Sequence, residues 1–138
     1  MRPSARILVT LLLLYHSTGA SQMTLPACPD SPNCVSSLSV DEAHAIKPFS
    51  YEGTPTEAWG RLKAAVLSGK RVTLIKDTGT YLHVEVRSLI FQFTDDVEFL
   101  LQDGDKLIHV RSASRAGHSD FGVNRRRVEQ IRTRFNQE

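Results

Sequence analysis

Two turn signals constrain this chain more than any other feature. Asp77-Thr78-Gly79 and Asp103-Gly104 each lie between runs in which apolar and polar residues alternate. Alternation has the two-residue period of a half-buried strand, and glycine beside aspartate supplies the positive φ that tight hairpin turns require. Arg71–Lys76 and Thr80–Ser88 are therefore expected to form one hairpin, closed by a three-residue loop with Gly79 left-handed. That register sets Leu74 against Leu82 and Val72 against Val84, and leaves Tyr81, His83, Glu85 and Arg87 on the other face. Gln92–Leu101 and Lys106–Ser114 form the second hairpin. A two-residue turn there sets Phe99 opposite Ile108, Val97 opposite Val110, Asp96 opposite Arg111 and Glu98 opposite His109. Each opposite-charge pair across strands contributes roughly 0.2–1 kcal/mol.

Helices flank the hairpins. Thr54-Pro55-Thr56-Glu57 is a capping box with proline at the first helical position. Ala58, Trp59, Leu62, Ala65 and Val66 form the apolar stripe behind it, and Gly69 ends it. A second helix starts near Val123. It places Val128, Ile131 and Phe135 on one stripe, with Arg125, Arg126, Arg132 and Arg134 largely outside it. His44–Tyr51 reads as an edge strand, since Pro48 excludes a central one. The expected fold class is α+β: an antiparallel sheet of about four to five strands packed against an N-terminal and a C-terminal helix.

Residues 1–20 have the layout of a secretory signal peptide: Arg2 and Arg6, the apolar run Ile7–Tyr15, then small residues at Thr18 and Ala20. The run is too short to span a bilayer. Two alternatives remain, an uncleaved anchor or lipidation at Cys28 after Leu25-Pro26-Ala27. Residues 21–43, rich in Ser, Pro and Asn, form an irregular Cys-containing segment, and residues 44–138 form a single α+β domain. In an exported chain, Cys28 and Cys34 so close together read as a disulfide.

The chain has 17 basic and 15 acidic residues; without the leader's two arginines the balance is 15 against 15. A neutral mature domain gives no electrostatic case for nucleic acid. Charge is segregated all the same. Asp77–Asp105 holds seven acids and one arginine, whereas Arg111–Glu138 holds seven arginines and three acids.

Three segments, CPDSPNCVSS, FTDDVEF and RSASRAGHSDFGVNRRRVEQIR, occur in this order. Together they resemble the bacterial and plastid family termed domain of unknown function 1499, over nearly all of the chain from Cys28 to about Phe135. The resemblance implies an exported or organelle-lumen domain, soluble or membrane-associated, and implies no reaction.

Candidate site residues follow from charge and parity. Asp95 shares strand parity with Phe91, Phe93, Val97 and Phe99, so a regular strand aims it at the core. A carboxylate there needs a β-bulge at Asp95-Asp96, hydrogen bonds from Ser112, or a role as a poised acid or base. Arg111, Arg115 and Arg127, with Gly117-His118-Ser119-Asp120 leading into a helix N-terminus, could hold an anion. The competing reading is that Asp96, Glu98 and Asp120 pair those arginines internally. Arg111, Arg115, His118, Asp120, Asn124 and Arg127 form the candidate surface.

Catalytic templates fit poorly. There is no G-x-S-x-G elbow and no phosphate-binding glycine loop, and His44, His83, His109 and His118 lack metal-ligand spacing. No metal or cofactor is implied. The leading expectation is a non-enzymatic domain of the bacterial envelope or periplasm that binds a partner protein or a small anionic ligand. The alternatives are a hydrolase-like enzyme using Asp95 or Asp96 with His109 or His118, and an assembly factor held to the membrane by an uncleaved or lipidated N-terminus.

Overall fold

The computed structural model describes residues 23–137. The expected signal peptide at residues 1–20 lies outside the described residues. Helix α1 (Pro55–Leu67) starts as the capping box requires: the Thr54 hydroxyl accepts from the Glu57 N–H, and the Glu57 carboxylate accepts from the Thr54 N–H. Its stripe of Ala58, Trp59, Leu62, Ala65 and Val66 is buried. Helix α2 (Val123–Phe135) buries Val128, Ile131 and Phe135, and also Asn124. Both helices pack on one face of an antiparallel sheet. There they meet Leu82, Val84, Val97, Phe99, Ile108 and Val110 in a single core.

The sheet has six strands rather than four to five. Strands β3 (Val72–Asp77), β4 (Tyr81–Arg87), β5 (Thr94–Gln102) and β6 (Leu107–Ser114) run in sequence order, and β6 takes two short partners on its far edge. One is β2 (Phe49–Ser50), which obeys the edge constraint set by Pro48. The other is β1 (Cys34–Ser36), inside a segment expected to be irregular. Its three buried residues and the Cys28–Cys34 disulfide, with a Cα–Cα distance of 5.7 Å, dock that segment on the sheet. The bond leaves Cys28 no thiol for lipid attachment.

Both hairpins differ from the expected register. Thr78 N donates to Tyr81 O, so the first turn closes on Gly79-Thr80, and the pairing then shifts between Leu74 and Lys76. Leu74 consequently faces Val84, and Val72 faces Val86. The second turn is a 3-10 turn at Asp103–Asp105 followed by left-handed Lys106 (φ 51°), two residues longer than expected. Phe99 therefore faces Val110, and Val97 faces Ser112. The expected pairs Asp96–Arg111 and Glu98–His109 give way to Glu98–Arg111 and Leu100–His109. A two-residue slip keeps Val72, Leu74 and the residues of β5 and β6 on their own faces, because the side-chain period is two. Past the bulge the slip is odd, so Lys76 joins the face of His83 and Asp77 that of Leu82, where it accepts from the Trp59 indole.

Candidate functional site

The face of the sheet away from the helices carries a network of ion pairs. Tyr81 OH donates to Glu98 Oε1 at 2.6 Å, and Arg111 Nη1 donates to Glu98 Oε2 at 3.1 Å. Arg115 donates to both Asp96 oxygens at 2.7 and 2.8 Å and also reaches Glu85. His83 Nε2 lies 2.7 Å from Asp96 Oδ1. The Arg115 hydrogen bonds hold the Asp96 carboxyl below its usual range, against the effect of burial and with help from His83. Burial, then the bond to Glu98, pushes the Tyr81 phenol well up. Four of the candidate residues thus pair with one another, Arg111 with Glu98 and Arg115 with Asp96, although Arg111 Nε is shielded from solvent without a partner.

Asp95 points to the opposite face, as its parity requires, and is buried. No bulge relieves it: pairing is continuous through Asp95–Ser114 and Asp96–Ala113. Ser112 does not bond it either. Its partner is Arg127, reaching down from α2. The other Arg127 nitrogen donates to Asn124 Oδ1 at 2.7 Å and Ser112 Oγ at 3.1 Å. Fully buried Asn124 is the hub here. Its amide donates to Asn33 O, Ser114 Oγ and Asp120 Oδ2. Burial opposes ionisation of Asp120, but the Asn124 N–H and amide and the Gly122 N–H outweigh it and bring its carboxyl down. Asp120 therefore holds the first turn of α2 behind Gly122 at the N-cap, and pairs with no arginine among the described residues.

Neither Asp95 nor Asp96 bonds His109 or His118. His109 bonds Ser37 and Gln102, and His118 is exposed in the loop before α2 without a hydrogen bond among the described residues. The acid–imidazole contacts that do form, His83–Asp96 and His44–Asp41, link no hydroxyl or thiol among the described residues; the second His44 nitrogen bonds the Ser31 carbonyl. The candidate surface is thus split by the sheet, with Arg111 and Arg115 outside, Asp120, Asn124 and Arg127 inside, and His118 beyond the edge.

Cations converge elsewhere. A cleft of about 570 Å³ opens between the C-terminal end of α1, the start of β3, the end of β4 and one side of α2. Six cations line it: Lys70, Arg71, Arg87, Arg126, Arg127 and Arg134. No Asp or Glu does. Val72, Val84, Val86 and Ile131 form an apolar floor. The local sequence explains the assembly. Chain reversal at Ser68-Gly69 brings Lys70 and Arg71 to the rim, and a Cβ on Gly69 would lie 3.0 Å from Val72 Cγ2. Arg71 takes a left-handed φ of 57°, and its Nε donates to Arg87 O, bridging β3 and β4. Arg126, Gln130 and Arg134 recur every four residues, so α2 turns one polar stripe into the cleft.

Of these six, Arg127 alone has a carboxylate partner among the described residues. Arg126 donates to Phe121 O, and Arg134 Nε is shielded from solvent without a partner. Like charges above an apolar floor repel more strongly than in water, and a bound anion relieves that repulsion. The sequence reading identified Arg127 alone. The four-residue repeat on α2 was the legible signal for Arg126 and Arg134. Nothing local marked Lys70, Arg71 and Arg87, which fold assembly brings in.

Among the described residues, no group of three or more His, Cys, Asp or Glu could hold a metal ion, and no helix is long and apolar enough to cross a membrane. The profile of a family described as a protein of unknown function (DUF1499) matches residues 24–135. No curated protein matches the chain.

Proposed function

We propose that this chain, which belongs to the DUF1499 family, is a non-enzymatic domain of the bacterial envelope that binds a small anionic ligand in the cleft between α1, α2 and the β3–β4 edge. The observation that carries this reading is six cations and no acid around one cavity of about 570 Å³. That volume lies within the roughly 300–1,000 Å³ of small-molecule sites. Guanidinium groups favour ligands with several anionic oxygens, because their forked donors match phosphate and carboxylate geometry. Cys28–Cys34 supports an oxidising compartment, since thiols stay reduced in the cytosol.

Titration calorimetry with pyrophosphate at low salt tests the reading. Lys70→Ala with Arg126→Ala should weaken binding at least tenfold, and rising ionic strength should weaken wild-type binding steeply. Absence of pyrophosphate binding, or equal binding by the double variant, would defeat it.

A further inference from the structure

The β4–β5 connection, Ser88-Leu89-Ile90-Phe91-Gln92-Phe93, is the most apolar exposed segment among the described residues. Ile90 is 79% and Phe91 72% exposed, and Leu89 and Phe93 are exposed as well. The loop is closed at its base: Ser88 N donates to Phe93 O, and Phe93 N donates to Ser88 Oγ, both at 2.9 Å. The tip is shaped by left-handed Gln92 (φ 56°) and by stacked Phe91 and Phe93 rings with centroids 5.5 Å apart. It is thus a formed apolar prong rather than a groove.

Its position carries the inference. Leu89 and Val123 both line the cationic cleft, so the prong and the cations share one rim. The loop before α2 reaches the same end of the sheet, where Arg115 N donates to Thr94 O, and adds Phe121 at 87% exposure. At this end of the sheet, Asp95, Asp96, Glu85 and Asp120 are already engaged by Arg127, Arg115 and the α2 cap. Apolar tips ringed by uncompensated cations match the layering of a bilayer surface. Apolar side chains enter the acyl boundary, and cations stay at the level of anionic headgroups. A protein groove would supply apolar surface but would not by itself explain five cations without a carboxylate partner among the described residues beside it.

We infer that this end of the domain docks on membranes containing anionic phospholipid, with Leu89, Ile90, Phe91 and Phe93 inserted and a headgroup phosphate held in the cleft. The inference rests on the anion-binding reading for its headgroup contact and adds a membrane as the source of the anion. It also places membrane contact in the folded domain rather than in the N-terminus.

The test uses the full chain with Phe91→Trp and vesicles of phosphatidylcholine with or without phosphatidylglycerol, some carrying brominated acyl chains. Read as the difference from the wild-type chain, whose own Trp59 is buried in the core, the introduced indole reports insertion at the prong itself, whatever the N-terminus does. Expected are a blue shift and bromine quenching that depend on phosphatidylglycerol. Vesicle affinity should fall about fivefold for each of Lys70→Ala and Arg126→Ala, and about tenfold or more for Ile90→Ser with Phe91→Ser. The prong double variant should bind pyrophosphate as wild type does. Pyrophosphate binding without indole quenching overturns the membrane inference and leaves the anion site standing. Equal insertion into neutral vesicles, or no loss in the cation variants, overturns it too, because the cleft is then not reading headgroups.

Discussion

Removal of Arg127 should be costly, and the cost should be one-sided. Its side chain is 14% exposed and that of its partner Asp95 6%. Arg127 also serves Ser112 and Asn124, so Arg127→Met strands a buried carboxylate and removes donors from two further buried oxygens. Breaking a buried pair from one side costs about 3–5 kcal/mol. Domains of this kind have roughly 5–15 kcal/mol in total. The reverse change, Asp95→Val, should cost less, about 1–2 kcal/mol, because Arg127 borders the open cleft and its guanidinium can turn to solvent. Valine also suits the strand. The double variant Asp95→Val with Arg127→Met should recover most of the Arg127→Met loss, since a matched apolar pair often replaces a buried ion pair without penalty. Urea unfolding followed by far-UV circular dichroism gives all three values, provided the m-value is unchanged. A loss below about 1 kcal/mol for Arg127→Met, or a larger loss for Asp95→Val, would refute the idea that Asp95 depends on this one partner.

Asn124→Ala should destabilise the domain by about 2–4 kcal/mol in the same assay, because several buried donors and acceptors lose their partner at once. Reducing Cys28–Cys34 should cost about 2 kcal/mol, the value expected for so short a loop, read as a lower urea midpoint with reductant. Asp77 is held down at about 2, against an unperturbed 3.8, by Lys63, the Gly79 N–H and the Trp59 indole. A depressed folded-state pKa stabilises above the unfolded value, and that contribution disappears as pH falls from about 4 through about 2. Asp77→Asn should therefore remove about 1 kcal/mol of acid sensitivity in that window after solvent screening, seen by comparing unfolding midpoints at pH 5 and pH 2.5.

The helices were legible residue by residue, because a capping box and a 3.6-residue stripe are local facts. Strand faces were legible for the same reason: Leu82, Val84, Val97 and Phe99 are buried as alternation demands. Pairing was not, because each turn could be closed in more than one way. Gly79-Thr80 and the longer turn at Asp103–Asp105 moved the partners of the hairpin residues, and only Lys76 and Asp77, past the β3 bulge, changed face with them. Site residues failed differently. Arg111 and Arg115 share a strand face with Glu85, Asp96 and Glu98, so their charge is spent across the sheet. Arg125 and Arg132 leave the solvated face expected of them and donate to the carbonyls of Ala43, Ala45, Lys47 and Pro48. The cations left for the cleft come from the α1–β3 turn, the end of β4 and α2, far apart in sequence, and only the tertiary fold gathers them.

Whether the cleft is the anion site can be read most directly by following backbone amide shifts while pyrophosphate is added to the isotopically labelled protein. Binding in the cleft predicts saturable shifts confined to residues 68–72, 86–89 and 123–134. Shifts centred on Arg111–Asp120 would return the site to the outer face and loop, and an unchanged spectrum would contradict anion binding by this domain.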